Sequence, residues 1–320
     1  FSRLYSPMMH SKMREEDDVV TELLVPAAPA SSQQSPSKPE LRRTSRDMGS
    51  FLGKPKASQH VPEKKAPPAM FQFDQFPLWL REGKWTWSAT LFIPAVTILV
   101  ASVAPQAMAT MPMDPAATQA HSPYEMEVAL AGLVWTLAVT AHTAFTSGAW
   151  IFMSFTMMSW LLLTARFAAV LMGRHSHVAW VVGELVRGPA LLNAVFLGLV
   201  WWLALVPLIA YFSPTKKARK GFLRFNFSAT LINIHLLNMP LAFLGHRLAP
   251  RDLCLFDLWA TCALSLLYLL FYLAVMDPNG LHLYIILSPR TNFSIASYSG
   301  LLGLMVALFR AFGGSFALST

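Results

Sequence analysis

Residues 189–212 read PALLNAVFLGLVWWLALVPLIAYF, a run of 24 residues without a charged side chain. A helix of this length is about 36 Å long, which exceeds the hydrocarbon thickness of a bilayer, roughly 30 Å. In lipid, a helix satisfies its backbone hydrogen bonds within one segment, so such a run is typical of a membrane span. This stretch predicts an integral membrane protein.

Six further apolar runs of similar length surround this one, and the composition agrees with them. The 320 residues are 54% hydrophobic and 13% charged, whereas an average soluble domain has roughly 25% charged residues. The mean hydropathy is +0.45. We therefore predict an all-α polytopic membrane helical bundle of about seven spans. The predicted spans are residues 87–109, 127–145, 150–172, 189–212, 225–244, 253–276 and 295–312.

The chain ahead of the first span has a different character. It is rich in Pro, Ser and charged residues, as in VPAAPASSQQSPSKPE, and lacks the periodic apolar pattern that a core requires. Aromatic and basic residues then alternate before the first span, as at a lipid head-group layer. We expect an extended extramembrane polar arm (1–70), an interfacial segment (71–86), an added transmembrane span (87–110), a six-helix bundle (125–312) and a tail (313–320).

A short basic loop between the fourth and fifth predicted spans sets the expected orientation. Its positive charges place the loop, and with it the arm, on the cytosolic or matrix side of the membrane. The same side chains are the predicted head-group contacts of an anionic phospholipid such as cardiolipin, with a purely topological signal as the alternative. These side chains are Lys216, Lys217, Arg219 and Lys220.

Composition and motifs argue against two other kinds of site. The net charge of +8 comes with an arm that mixes basic and acidic residues and has no nucleic-acid-binding motif, so no nucleic-acid partner is predicted. The chain has no CxxC motif and no His pair at zinc-finger spacing, so no metal is predicted. Bound phospholipid is therefore the only small-molecule component that we expect.

Two polar side chains inside apolar runs, Ser154 and His235, are the candidates for chemistry. Polar groups at membrane depth tend to face the interior of a bundle and to mark a functional site. A hydroxyl becomes a useful nucleophile when a base lies within about 2.6–3.2 Å, and imidazole titrates in the range that this role requires. We predict Ser154 as nucleophile and His235 as base, with helix–helix packing as the alternative role of Ser154.

Three further residues are predicted to support this pair. Asn233 or Asn238 could orient the imidazole, since both are near His235 in the sequence. Asn238 or Trp150 could donate a hydrogen bond to an oxyanion.

Several sequence blocks carry a resemblance to a known family. SGAWIFMSF is similar to a Gly-x-Trp-x-Phe-Leu-Thr pattern at the start of a membrane helix, and NAVFLGLVWWLALVPLIAYF resembles a helix ending in Val-Phe-Trp. NIHLLNMPLAF is similar to Asn-His-x-x-His-x-x-x-x-Pro-Phe, and DPNGLHLYIILSP resembles a Thr-Gly-x-Trp-x-Tyr-Pro segment. Over residues 125–312 the chain thus resembles the androgen-induced protein family of integral membrane hydrolases, which includes the androgen-dependent TFPI-regulating protein.

The resemblance implies a hydrolase of fatty acid esters of hydroxy fatty acids that uses a membrane-embedded threonine and histidine. Ser154 stands at the threonine position and His235 at the histidine position. The first histidine of the family pattern is replaced by Ile232. The arm and the first span fall outside the resemblance.

Two functions from different classes follow. We favour an accessory subunit of a large organellar complex, placed in the mitochondrial inner membrane with the arm on the matrix side, which binds lipid and contacts other subunits. The reason is that a small lipid hydrolase does not need an N-terminal arm or an added transmembrane span.

The alternative function is a lipid-ester hydrolase that uses Ser154 and His235. The alternative locations are the endoplasmic reticulum or the plasma membrane, with the arm in the cytosol. The arm residues expected to contact other chains are Leu4, Tyr5, Leu23, Leu24, Val25, Phe51 and Leu52.

Overall fold

The computed structural model describes residues 83–112, 124–213, 215–247 and 251–316, and within these ranges the chain is helical and contains no strand. The predicted arm, most of the interfacial segment and the last four residues lie outside the described residues. The predictions made for the arm and its contacts therefore stay predictions.

The described residues form eight helices. Six are long and apolar enough to cross a membrane, and α5 and α6, which bend by 59° at their break, make a seventh span when taken together. The prediction of a polytopic all-α bundle of about seven spans is confirmed. The helices are α1 (Trp87–Ala109), α2 (Glu125–Ser147), α3 (Phe155–Gly173), α4 (His177–Phe212), α5 (Lys216–Asn226), α6 (Ala229–Arg247), α7 (Leu255–Asn279) and α8 (Ser294–Ala311).

Serine and threonine side chains start five of these helices. In each case the hydroxyl oxygen accepts a hydrogen bond from the backbone N–H three residues later, which would otherwise have no partner within the helix. Such caps typically contribute about 1 kcal/mol each. The five capping residues are Thr86, Ser154, Ser176, Thr215 and Ser228.

Two predicted span boundaries were wrong. Helix α3 begins at Phe155 and not at residue 150, because residues Ala149–Met153 form a separate 3-10 turn. Helix α4 begins at His177 and not at residue 189. The charges before residue 189 suggested a segment outside the membrane, but two of them, Glu184 and Arg187, are buried inside the bundle.

Helix α4 is the centre of the bundle. Every residue from Arg187 to Gly198 is buried, and the helix packs against α3, α6, α7 and α8. The outer helices instead expose large apolar side chains such as Leu91 and Phe145. This surface suits contact with lipid tails and agrees with an integral membrane protein.

The added span α1 packs against α7 and α8. The Trp259 indole N–H donates to the Val100 carbonyl oxygen at 2.8 Å, and the Phe256 N–H donates to Thr110 Oγ1 at 3.0 Å. These bonds attach the C-terminal half of α1 to α7, so the added span is part of the bundle.

Substituting Gly188 with Ala should separate α4 from α7. A Cβ atom at this position would lie 2.7 Å from Asp257 Cα and 2.8 Å from the Asp257 carbonyl oxygen, and neither backbone atom can turn aside. We expect a loss of about 1–3 kcal/mol of stability, measured by thermal unfolding of the purified protein in detergent. Gly300→Ala is the matched control, because a Cβ there meets nothing within 4 Å. Equal unfolding temperatures for the two variants would contradict the proposed close approach.

Candidate functional site

Three spanning helices depart from α-helical geometry, each over one turn. The segments Val200–Leu205, Asn233–Leu237 and Tyr272–Met276 are π-helical. A π-helical turn contains one extra residue and often marks a functional site. The side chains of Trp201, His235 and Tyr272, one from each segment, surround the same location.

His235 is buried at this location, with 2% of its surface exposed. Its ring stacks on the Trp201 indole, with ring centroids 4.0 Å apart and an angle of 20° between the planes. Nε2 lies 3.2 Å from Thr156 Oγ1, within hydrogen-bond distance. The Leu231 carbonyl, one turn earlier, also lies close to the ring. Nδ1 is buried and has no hydrogen-bond partner among the described residues. When Nδ1 carries the imidazole proton, Nε2 accepts the proton of Thr156.

Thr156 is the second residue of α3 and is also buried. Its Oγ1 lies 3.3 Å from the Tyr284 hydroxyl oxygen, and its backbone N–H donates to the same oxygen at 3.4 Å. Imidazole, threonine hydroxyl and tyrosine hydroxyl therefore form a continuous chain of contacts. These three contacting groups lie at the N-terminal end of α3, where the helix dipole favours negative charge.

Tyr284 is placed by two further tyrosines. The Tyr272 hydroxyl donates to the Tyr284 carbonyl oxygen at 3.4 Å, and the Tyr268 hydroxyl donates to the Met153 carbonyl oxygen at 3.1 Å. Burial raises the pKa of the Tyr284 phenol, although hydrogen bonds with Thr156 act in the opposite direction. Tyr284 therefore stays protonated and can donate a hydrogen bond.

The structure places the hydroxyl of Ser154, the predicted nucleophile, at the start of α3. Its hydroxyl donates to the Ile151 carbonyl oxygen at 2.7 Å and accepts from the Met157 N–H at 3.2 Å. Both bonds define the start of α3. The hydroxyl that contacts His235 belongs to Thr156, two residues further along the chain.

Of the predicted supporting residues, Asn233 and Asn238 make no hydrogen bond to the imidazole within the described part of the chain. Asn233 Oδ1 accepts from the Trp135 indole N–H at 2.9 Å, and its amide donates to the Ala229 carbonyl, so this side chain joins α6 to α2. Asn238 is buried and neither of its amide atoms has a hydrogen-bond partner among the described residues. The side chain of Trp150 lies outside the described residues.

An apolar cavity of about 140 Å³ lies beside Thr156. Phe155 and Tyr284 line it, and they are the sequence neighbour and the hydrogen-bond partner of Thr156. Helices α1, α4, α7 and α8 supply most of the remaining wall. Its apolar surface and position suit a hydrocarbon chain, and the Tyr284 ring separates it from the hydroxyl of Thr156.

Sequence reasoning missed Thr156 and Tyr284. Thr156 directly follows the SGAWIFMSF block, and Tyr284 lies within DPNGLHLYIILSP. Each was therefore adjacent to or inside a block that had been singled out. These sequence blocks therefore pointed to the right region. Which hydroxyl at the start of α3 faces His235 could not be predicted, because the sequence did not reveal the 3-10 turn before the helix.

The chain matches no protein-family model, no curated protein and no solved structure. Its resemblance to the androgen-induced family consequently rests on the sequence blocks. Among the described residues, no three His, Cys, Asp or Glu side chains converge as metal ligands.

A second polar centre, a buried ionic cluster, lies at the opposite end of the bundle. Glu184 is within 3.7 Å of Arg166, 3.8 Å of Arg187 and 2.8 Å of Arg251, and Arg251 also contacts Asp257 at 2.7 Å. Burial acts to lower the pKa of Arg251, but Asp257 and Glu184 outweigh it and raise that pKa. One carboxylate thus contacts three guanidinium groups.

Glu184→Gln should be among the most destabilising single substitutions in the bundle. It removes the shared counter-charge and leaves buried guanidinium groups uncompensated, which typically costs about 3–5 kcal/mol. Thermal unfolding in detergent measures this effect. Glu127→Gln removes an exposed carboxylate from α2 and should change stability by less than about 0.5 kcal/mol. If both variants unfold at the wild-type temperature, Glu184 does not hold the cluster together.

Proposed function

We propose that this chain is a membrane-embedded hydrolase of lipid esters, in which Thr156 is the nucleophile and His235 the base. The observation that carries the proposal is the 3.2 Å contact between Thr156 Oγ1 and His235 Nε2. It lies next to an apolar cavity and between three π-helical segments. The family resemblance of residues 125–312 adds support, since it implies a threonine and a histidine in these roles.

The reaction follows from the positions of these groups. Thr156 Oγ1 attacks the ester carbonyl carbon while its proton passes to His235 Nε2. After its side chain has moved to admit the ester, the Tyr284 hydroxyl stabilises the negative charge that develops on the carbonyl oxygen. The intermediate collapses, and the leaving alcohol takes the proton from His235. Water then hydrolyses the acyl-threonine, with His235 again acting as base.

The substrate class follows from the apolar cavity. An acyl chain that occupies it would have its carboxyl end next to Tyr284 and Phe155, which line the cavity on the side of Thr156. The Tyr284 side chain must move for the ester to reach the nucleophile. A long-chain ester delivered from the bilayer suits this arrangement, and fatty acid esters of hydroxy fatty acids belong to that class.

Substitutions at two hydroxyls test the assignment of the nucleophile. Thr156→Ala and His235→Gln should each lower hydrolysis of a fluorogenic oleoyl ester by about 10²–10⁴-fold, since each removes a group that acts in the transition state. Thr156→Ser should keep part of the activity, and Ser154→Ala most of it. A fluorophosphonate probe should label Thr156, as located by peptide mass spectrometry.

Two results would overturn this assignment. One is full activity in the Thr156→Ala variant, and the other is a probe adduct on Ser154. Unfolding temperatures measured in parallel separate lost chemistry from lost structure.

We also propose that α5 binds the head groups of anionic phospholipid. The helix is strongly amphipathic, with exposed Lys216 and Lys220 one turn apart and exposed Phe225 on another face. It meets α6 at an angle of 59°, as expected of a helix that lies at the membrane surface. Arg219 and Lys217 belong to the same basic segment, and Arg219 donates to the Ala210 carbonyl oxygen at 2.8 Å.

Charge reversal on α5 should reduce the anionic lipid that purifies with the protein. Each basic residue near an anionic surface contributes about 1 kcal/mol, so Lys216→Glu with Lys220→Glu should weaken binding by more than roughly tenfold. Lipid mass spectrometry of the purified protein gives the readout. Charge reversal at Arg174, exposed at the opposite end of the bundle, is the control and should leave the lipid content unchanged. Equal lipid content in all three proteins would leave α5 with a topological role only.

The accessory-subunit function and the mitochondrial location depend mainly on the arm, whose residues lie outside those described. Both stay predictions. Identification of proteins that purify from native membranes with the full chain, and not with a chain lacking residues 1–70, would support them.

A further inference from the structure

A small cavity within the buried ionic cluster lies between α3, α4 and α6. Its volume is about 20 Å³, enough for one particle of about the size of water. The polar side chains that line it belong to Arg166, Arg187 and His246, and the remaining lining residues described are apolar or glycine. The cavity therefore combines little space with a cationic lining.

Within this lining, the guanidinium group of Arg187 has N–H groups without hydrogen-bond partners. Only 2% of its side chain is exposed, yet Nε and Nη1 have no hydrogen-bond partner among the described residues. Its Nη2 donates to the Arg251 carbonyl oxygen, and the Glu184 carboxylate lies 3.8 Å from Nη1, beyond hydrogen-bond distance. Burying guanidinium N–H groups without acceptors is strongly unfavourable.

The neighbouring carboxylates are already engaged elsewhere. Glu184 Oε2 accepts from Arg251 at 2.8 Å, and Asp257 Oδ2 accepts from Arg251 at 2.7 Å and from the Cys254 N–H at 2.8 Å. Neither carboxylate lines the cavity. The cavity thus faces donors, and its occupant must accept hydrogen bonds.

A water molecule is poorly matched to this lining, because it must donate two hydrogen bonds as well as accept them. An anion needs only donors. His246 adds a third donor in the tautomer that carries the proton on Nδ1, which is buried and has no hydrogen-bond partner among the described residues. From the volume and the donors together, we propose that this cavity binds a single monatomic anion of chloride size.

The position of this site gives the anion a structural consequence. It would connect α4 and α6, the two helices that carry Trp201 and His235 to the candidate active site. Binding of an ion to the folded state alone raises the unfolding temperature in a saturable manner. The proposal does not rest on hydrolysis, so it can be tested without an activity assay.

The experiment measures the unfolding temperature of the purified full chain while sodium chloride replaces sodium gluconate at constant ionic strength. Gluconate is too large for the cavity. We expect a saturable rise with chloride in the wild type. Gly245→Ala should abolish this rise or shift its midpoint about tenfold or more to higher chloride concentration. Gly245 lines the cavity, so the added methyl group takes up space there. The methyl group meets only Phe167 Cε1, at an ordinary contact distance of 3.5 Å, so the fold should be preserved. Gly300→Ala, also helical and with open space around it, is the matched control and should respond as the wild type does.

Arg187→Gln provides the electrostatic test and should also remove the chloride response. If this variant does not fold, the comparison of Gly245→Ala with Gly300→Ala still decides the question. A chloride response that is absent in the wild type, or the same in all four proteins, would refute the site. A response to inorganic phosphate, or to vesicles of phosphatidylglycerol, without one to chloride would also refute it, by indicating a phosphate or head-group site.

Discussion

The close approach of α4 to α6 at Gly198 is the constraint on which the candidate active site depends. A Cβ atom there would lie 3.1 Å from the His235 carbonyl oxygen and would overlap the Met239 sulfur. With only hydrogen at this position, the two backbones come close enough for the His235 ring to stack on Trp201. The stacked ring then presents Nε2 to Thr156 across the interface with α3. Any side chain at residue 198 would displace both helices and separate these groups.

The hydrogen bonds around His235 lie in an environment of low polarity, where each is stronger than it would be in water and an unpaired group is more costly. Among the described residues no carboxylate contacts the imidazole; the stacked Trp201 indole and the Thr156 hydroxyl are the groups that orient it. Trp201 is fixed in turn by Asn226, whose Oδ1 accepts its indole N–H at 2.9 Å. Asn226 is the last residue of α5. The amphipathic helix α5 is therefore linked to the imidazole through two side-chain contacts.

Charge in this bundle is concentrated at the end opposite to the Thr156 site. Glu184 and Asp257 offset three arginines there, and Gly188 allows α4 to approach Asp257 closely enough for the cluster to remain buried. The ionic cluster fixes the packing of α3, α4 and α7 at one end, while the other end contains hydroxyl groups and one imidazole. The two polar centres of the bundle are thus different in character and lie apart.

The sequence by itself determined the class of the protein. Apolar runs of bilayer length specify membrane-spanning helices whatever their neighbours are, and α1 was predicted at its observed bounds for this reason. His235 was also identified from sequence, because a polar side chain within an apolar run must find a partner inside the bundle.

The tertiary structure alone decided which hydroxyl meets His235 and where charge is buried. The 3-10 turn at Ala149–Met153 moved the start of α3, so that Ser154 became the cap and Thr156 turned towards α6. The π-helical turns rotated the side chains of Trp201 and His235 away from the positions expected for regular helices. Glu184 and Arg187 are buried because they contact a partner distant in sequence, Arg251. Prediction from sequence patterns assumes that every helical turn has the same number of residues and that side chains interact only with near neighbours in the sequence. The candidate site contains irregular turns, and the ionic cluster contains partners distant in the sequence.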